Sequence, residues 1–206
     1  MRKVCADWKT EAFSPALVNG SYWPDFEENA KAASAEIFCV PDETAAAQKV
    51  LEIADEVKAD MVVAAGTETD RGISLACDAL AQTGKQVFRD KFEVAEHAPQ
   101  AGLGLSRAEF GVGETGSVCV DTYSYEARVV GMLPPAHIVL LDRNALVENV
   151  TTAFQVMSRV FHKGYLGFIT GPSRTADIER VLSLGVHGPS RFFIVVIGAE
   201  GGSIHG

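Results

Sequence analysis

The chain has 206 residues, 47% of them hydrophobic and 22% charged, which excludes a disordered or collagen-like polymer and fits one domain with at most an added lobe. Eighteen basic residues against 27 acidic ones give a net charge of −9, and no basic cluster offers phosphates a footing, so a nucleic-acid partner is not expected.

In chain order, residues 1–24 carry Trp8, Phe13, Pro15, Gly20, Tyr22, Trp23 and Pro24. This reads as an N-terminal arm packed on the domain or on a partner, because a loose tail seldom carries so many aromatics. Met1-Arg2-Lys3 begins like a secretion signal, but Asp7, Lys9 and Glu11 interrupt any apolar core. A cytoplasmic chain without a membrane segment is expected, since the longest apolar run, Phe192 to Ala199, is far too short to cross a bilayer.

The domain proper is expected over 25–198. Runs at Glu36–Val40, Met61–Ala65, His137–Leu141, Tyr165–Ile169 and Phe192–Ile197 are largely apolar and do not alternate, the pattern of strands buried on both faces of a mainly parallel sheet. Ala46, Val50, Ile53 and Val57 recur at helical steps after Asp42, and Val147, Val150, Phe154, Met157 and Phe161 do so after Asn144. Asp42 and Asn144 are the expected N-caps. Strand alternating with helix predicts right-handed βαβ units in a layered α/β domain. Phe88 to Leu105, broken by Pro99, Gly102 and Gly104, is expected to hold turns and short strands; 199–206 is a Gly-rich tail.

Cys5, Cys39, Cys77 and Cys119 are widely separated, unlike the short spacings of zinc or iron–sulfur ligation. Cys39, Cys77 and Cys119 lie in apolar surroundings, as small buried hydrophobes do. No cofactor is expected in this chain.

Three turns carry the candidate chemistry. Gly111-Val-Gly-Glu-Thr-Gly116 matches G-x-G-x-x-G, but the strand-like Ser117–Asp121 follows it where a dinucleotide fold places a helix. A glycine-rich turn explains the glycines; it leaves Glu114, beside Thr115 and Gly116, as a possible nucleophile or base. Thr170-Gly-Pro-Ser-Arg-Thr-Ala-Asp-Ile-Glu179 follows a strand, and a helix is predicted from about Arg174. Ser173 or Thr175 would cap it, and free N–H groups with Arg174 would hold an anion; the plain alternative is a cap with Arg174 paired to Asp177 or Glu179. Gly66-Thr-Glu-Thr-Asp70 has capping-box spacing. His137, at the start of an apolar strand, reads as a buried hydrogen-bonded histidine; His187, in Gly185-Val-His-Gly-Pro189, is the better functional candidate. Neither G-x-S-x-G nor a lysine-bearing P-loop is present.

Taken together, Gly111–Val118, Arg128 with Leu133-Pro-Pro-Ala-His-Ile-Val139, Gly171–Glu179 and Gly185–Pro189 resemble the LUD-domain family of lactate-utilisation proteins, in order and spacing, from about residue 25 to Ile197. Gly131 stands where that family's Arg-x-x-Ser-x-Leu-Pro pattern has serine. The resemblance implies a three-layer Rossmann-like α/β fold similar to the NagB/RpiA/CoA-transferase group. It also implies a part in oxidising L-lactate to pyruvate beside partner subunits that hold the iron–sulfur clusters. On this reading Thr115, Gly116, Arg128, Gly171, Ser173, Arg174, Thr175, Asp177 and His187 bind a small carboxylate or phosphorylated ligand. A stand-alone CoA-transferase-like enzyme with Glu114 as acyl acceptor is the other class of function.

Overall fold

A computed structural model describes residues 14–160, 166–172, 174–175, 183–184 and 188–198. After a 3-10 turn at Gly20–Tyr22, the helices are α1 (Trp23–Ala32), α2 (Glu43–Glu56), α3 (Arg71–Gln82), α4 (Lys91–His97), α5 (Tyr125–Met132) and α6 (Val150–Val160). The strands are β1 (Glu36–Val40), β2 (Met61–Ala64), β3 (Gln86–Phe88), β4 (Leu103–Val112), β5 (Ser117–Asp121), β6 (Ala136–Asp142), β7 (Leu146–Val147), β8 (Leu166–Ile169), β9 (Arg174–Thr175), β10 (Ser183–Leu184) and β11 (Arg191–Ile197).

Nine strands form one sheet, ordered β1-β11-β6-β4-β2-β3 and parallel along that path. Side chains on successive strand residues point to opposite faces, so the sheet carries a core on each side. On one face α2 and α3 bury Val50, Ile53, Ile73 and Leu80 against Leu103, Leu105, Ile138, Leu140 and Val195. On the other, α1 buries Phe26 and Ala30 against Val139, Leu141, Phe192 and Ile194, and α4 and α5 cover Val63 with Val94, Val129 and Val130. The result is the expected three-layer α/β arrangement with a mainly parallel sheet. Arg191 clasps its open end, donating to both carboxylate oxygens of Glu36 at 2.8 and 2.7 Å and to Glu56 at 2.7 Å.

Local chemistry sets the boundaries. The Asp42 carboxylate accepts from the Ala45 N–H at 2.8 Å and caps α2, as expected. Asn144 does not cap a helix. Its N–H donates to Asp142 at 2.8 Å in a turn, because Leu146 and Val147 first pair with Gly111 and Val112 of β4. The helix is thereby delayed to Val150, and Asn149 accepts from the Thr152 N–H at 2.9 Å.

Three further expectations are corrected. Residues 91–97 are a helix rather than turns, capped by Asp90. β8 is not a doubly buried parallel strand: it runs antiparallel to β5 on an extension of the sheet, with Phe168 40% exposed. Cys39 is exposed on the edge strand β1, whereas Cys77 and Cys119 are buried; burial pushes the Cys77 thiol up to about 11 and that of Cys119 higher still.

Candidate functional site

The site is built around β4, whose two halves have different neighbours on the same side. β2 runs beside Leu103–Leu105 and stops, its last contact being the Ala65 N–H donating to Leu105 O at 3.0 Å. From Ala108 onward the neighbour is β5, which runs the other way, so that Val120 lies opposite Ala108. The carboxyl ends of β2 and β5 therefore meet beside Ser106 and Arg107. Both chains leave the sheet there, one through Gly66–Asp70 into α3 and the other through Thr122–Ser124 into α5. Diverging strand ends of this kind are where open α/β sheets form ligand crevices. A cleft of about 1350 Å³ opens at this point, with Ser106, Arg107, Glu109, Asp121, Arg128 and His137 in its wall.

Arg107 lies over the start of α3. Its Nε is 3.6 Å from Asp70 Oδ2, while Asp70 Oδ1 caps the helix by accepting from the Ile73 N–H at 2.9 Å. Gly72 makes room for the guanidinium, since a Cβ there would sit 3.2 Å from Arg107 Nη1. That nitrogen is buried and has no hydrogen-bond partner among the described residues.

Across β4, parallel pairing sets Gly104 beside His137, and His137 Nε2 lies 2.9 Å from Ser106 Oγ. The ring is 1% exposed; burial pushes its pKa down to about 3, so the imidazole is neutral at physiological pH. The wall holds four cationic side chains, Arg89, Lys91, Arg107 and Arg128, against seven carboxylates. That balance disfavours a polyanion such as a nucleotide, whereas a single negative charge can sit against one arginine.

Of the residues singled out from the sequence, the Gly66–Asp70 turn, His137 and Arg128 lie in this wall; Arg128 Nη1 donates to Thr122 O at 2.8 Å and Tyr123 O at 3.0 Å, tying α5 to the loop before it. The Gly111–Gly116 turn and Gly171 lie elsewhere and serve α1. A Cβ at Gly111 would meet the Phe26 ring at 2.7 Å, one at Gly116 the Ala30 nitrogen at 2.1 Å, and one at Gly171 the Ala33 carbonyl oxygen at 2.0 Å. Thr115 Oγ1 lies 2.8 Å from Ser117 Oγ, which in turn lies 2.6 Å from Thr170 Oγ1, linking the two turns under the helix.

Glu114 is exposed, and its carboxylate accepts from the Val150 N–H at 3.0 Å at the positive end of α6. Glu114→Ala is expected to lower stability by about 0.3–1 kcal/mol, the ordinary worth of a carboxylate at the positive end of a helix. Chemical denaturation measures that loss, and intact-mass analysis after incubation with acyl-CoA donors should show no adduct on the wild-type chain.

The predicted helix start at Arg174 is replaced by a short strand: Arg174 and Thr175 pair antiparallel with Leu184 and Ser183. Ser173, Asp177 and His187 lie outside the described residues.

Sequence reasoning passed over Ser106 and Arg107. Their signal is the run of polar residues, Ser106, Arg107 and Glu109, inside the largely buried strand Leu103–Val112, where an unpaired charge is costly.

Residues 24–197 match the LUD domain model. The chain belongs to the LUD-domain family. Similar curated proteins are named lactate utilization protein C. That of Geobacillus sp. (strain WCH70) is 33% identical over 107 residues, 50% of this chain and 44% of the relative. That of Anoxybacillus flavithermus is 32% identical over 109 residues, 53% and 48% of the two chains, and that of Bacillus pumilus 29% identical over 132, 62% and 55%. The LUD chain described here thus spans about half the length of the curated relatives it matches. A crystal structure of a DUF162-family protein from Deinococcus radiodurans has the same fold, with a TM-score of 0.59 at 21% identity over 90% of this chain and 99% of that one. Among the described residues, no helix is long and apolar enough to cross a membrane, and no group of three or more His, Cys, Asp or Glu could hold a metal ion.

Proposed function

We propose that this LUD chain is a non-redox component of a cytoplasmic system that oxidises L-lactate to pyruvate. It binds a small carboxylate in the cleft beside β4, while partner subunits carry the iron–sulfur clusters. The observation that carries this reading is the extent of the family match. Residues 24–197 take in the described strands of the layered domain and the residues of its cleft, and the relatives matched over about half their length are named for lactate utilisation. The charge balance of the cleft supports a monoanion over CoA, which carries several phosphate charges. The ligand is placed here rather than at the Gly171–Asp177 turn, because the helix start that would have held an anion at Arg174 is a strand.

Deleting the gene and testing growth on L-lactate, with affinity purification of the tagged chain from lactate-grown cells, tests the role. Loss of growth together with co-purification of iron–sulfur proteins is expected. Normal growth and a chain that purifies alone would overturn it. Anaerobic reconstitution of the isolated chain should yield no bound iron or sulfide, the buried thiols Cys77 and Cys119 being held protonated and in separate elements; a stoichiometric cluster would move the redox work into this subunit.

A further inference from the structure

The cleft contains one fully buried polar side chain with half of its hydrogen-bonding capacity unused. His137 Nε2 faces Ser106 Oγ, and His137 Nδ1 has no partner among the described residues. It faces α5 at Gly131, where a Cβ would lie 3.7 Å away. A neutral imidazole has one N–H, so two arrangements exist. With the proton on Nδ1, a donor is buried without an acceptor and Ser106 must direct its hydrogen at Nε2. With the proton on Nε2, the unmatched atom is an acceptor and the histidine donates to Ser106 Oγ. Orphaned buried N–H groups are rarer than under-used acceptors, which selects the second arrangement. The serine oxygen then already accepts from histidine, and its own hydrogen is left to point elsewhere. Ser106 keeps 8% of its surface exposed in the cleft wall, beside the gap between the ends of β2 and β5.

We propose that the Ser106 hydroxyl donates to an oxygen of a small 2-hydroxy or 2-oxo carboxylate bound in this gap, with His137 the positioning residue that holds the serine in its donating state. The choice of acid rests on the lactate-utilisation reading above; the direction of the hydrogen bond does not. The neutral ring adds no charge of its own to the cleft, and Arg107, on the opposite face of β4, supplies positive potential. A single negative charge suits that arrangement.

The test uses the full chain labelled with ¹⁵N at histidine. Long-range ¹H–¹⁵N spectra report which ring nitrogen of His137 carries the proton, and calorimetry measures binding of pyruvate, L-lactate and inorganic phosphate. The expected results are the Nε2–H form and binding of pyruvate or L-lactate that weakens about ten- to a hundredfold in Ser106→Ala. The His137 nitrogen resonances should shift on saturation in the wild type. His137→Gln, whose amide can place an N–H near the Nε2 position, should retain more affinity than His137→Phe. An Nδ1–H ring, no binding of either acid, or binding indifferent to Ser106→Ala would each overturn the proposal. Phosphate bound as tightly as pyruvate, with the same dependence on Ser106, would overturn its carboxylate class. These readouts do not involve growth on lactate. A chain that binds pyruvate through Ser106 yet is dispensable for growth would keep the site and lose the role, and the reverse pattern would do the opposite.

Discussion

Gly116→Ala and Gly171→Ala are expected to be strongly damaging, each costing about 2–5 kcal/mol. Two costs add. Both glycines have positive φ, 65° and 71°, where a side chain is strained by about 1–2 kcal/mol. Both also lie against the backbone of α1, which cannot swing aside as a flexible side chain would: the new methyl would stand 2.1 Å from the Ala30 nitrogen or 2.0 Å from the Ala33 carbonyl oxygen. The helix would have to lift, withdrawing Phe26 and Ala30 from the core they share with Val139, Leu141 and Ile194. Gly84→Ala is the control, since it has φ 87° with nothing within 4 Å of its Cβ; it should show the conformational cost alone. Urea denaturation of the three variants separates the terms, and equal losses in all three would show that α1 yields freely.

The second large effect is on acid stability. An unfolded histidine titrates near 6.5, whereas burial holds His137 down to about 3. Between those values the unfolded chain binds a proton that the native chain refuses, so stability falls as pH falls, by about 1.4 kcal/mol for each unit. Above pH 6.5 the ring is neutral in both states and contributes no slope. From pH 6.5 to 5 the loss attributable to this one side chain is therefore about 2 kcal/mol. His137→Gln should remove that slope, and the comparison with wild type at each pH cancels the carboxylates common to both proteins. Parallel curves for the two proteins between pH 6.5 and 5 would mean that the ring is protonated in the folded state.

What could be read from the sequence was mostly local. Asp42 caps α2 because its carboxylate answers an N–H three residues on, a relation visible in the residue order. The apolar runs of β6 and β11 reflect burial on two faces, whereas the run of β1 belongs to a half-exposed edge strand, so composition reports burial only in part. It does not report partners: the run at 165–169 looks the same whether its strand joins a parallel core or, as β8 does, an antiparallel extension. α4 was hidden because seven residues with one buried position, Val94, give no period to detect. The site was hidden for a different reason. Ser106 and His137 are 31 residues apart and meet only because β4 and β6 pair with Gly104 beside His137, a register no spacing rule encodes. The conspicuous glycines instead mark where two turns pass under α1, a packing demand that looks in sequence like a phosphate loop.

β4 has a mechanical consequence for whatever occupies the cleft. Its ten residues belong first to the parallel core and then to the antiparallel extension, so a single continuous ribbon forms the floor on which both walls stand. A jaw-like closure between two lobes would have to bend that ribbon at Ser106–Ala108 and break its pairing with β6. Among the described residues, two short segments that leave the sheet at the cleft, Gly66–Asp70 and Thr122–Ser124, can adjust without disturbing that ribbon. The first turns on a glycine with φ 87°, and the second is held to α5 by Arg128. Adaptation to ligands of different size should accordingly alter the length and composition of these two segments and leave the ribbon beneath them unchanged.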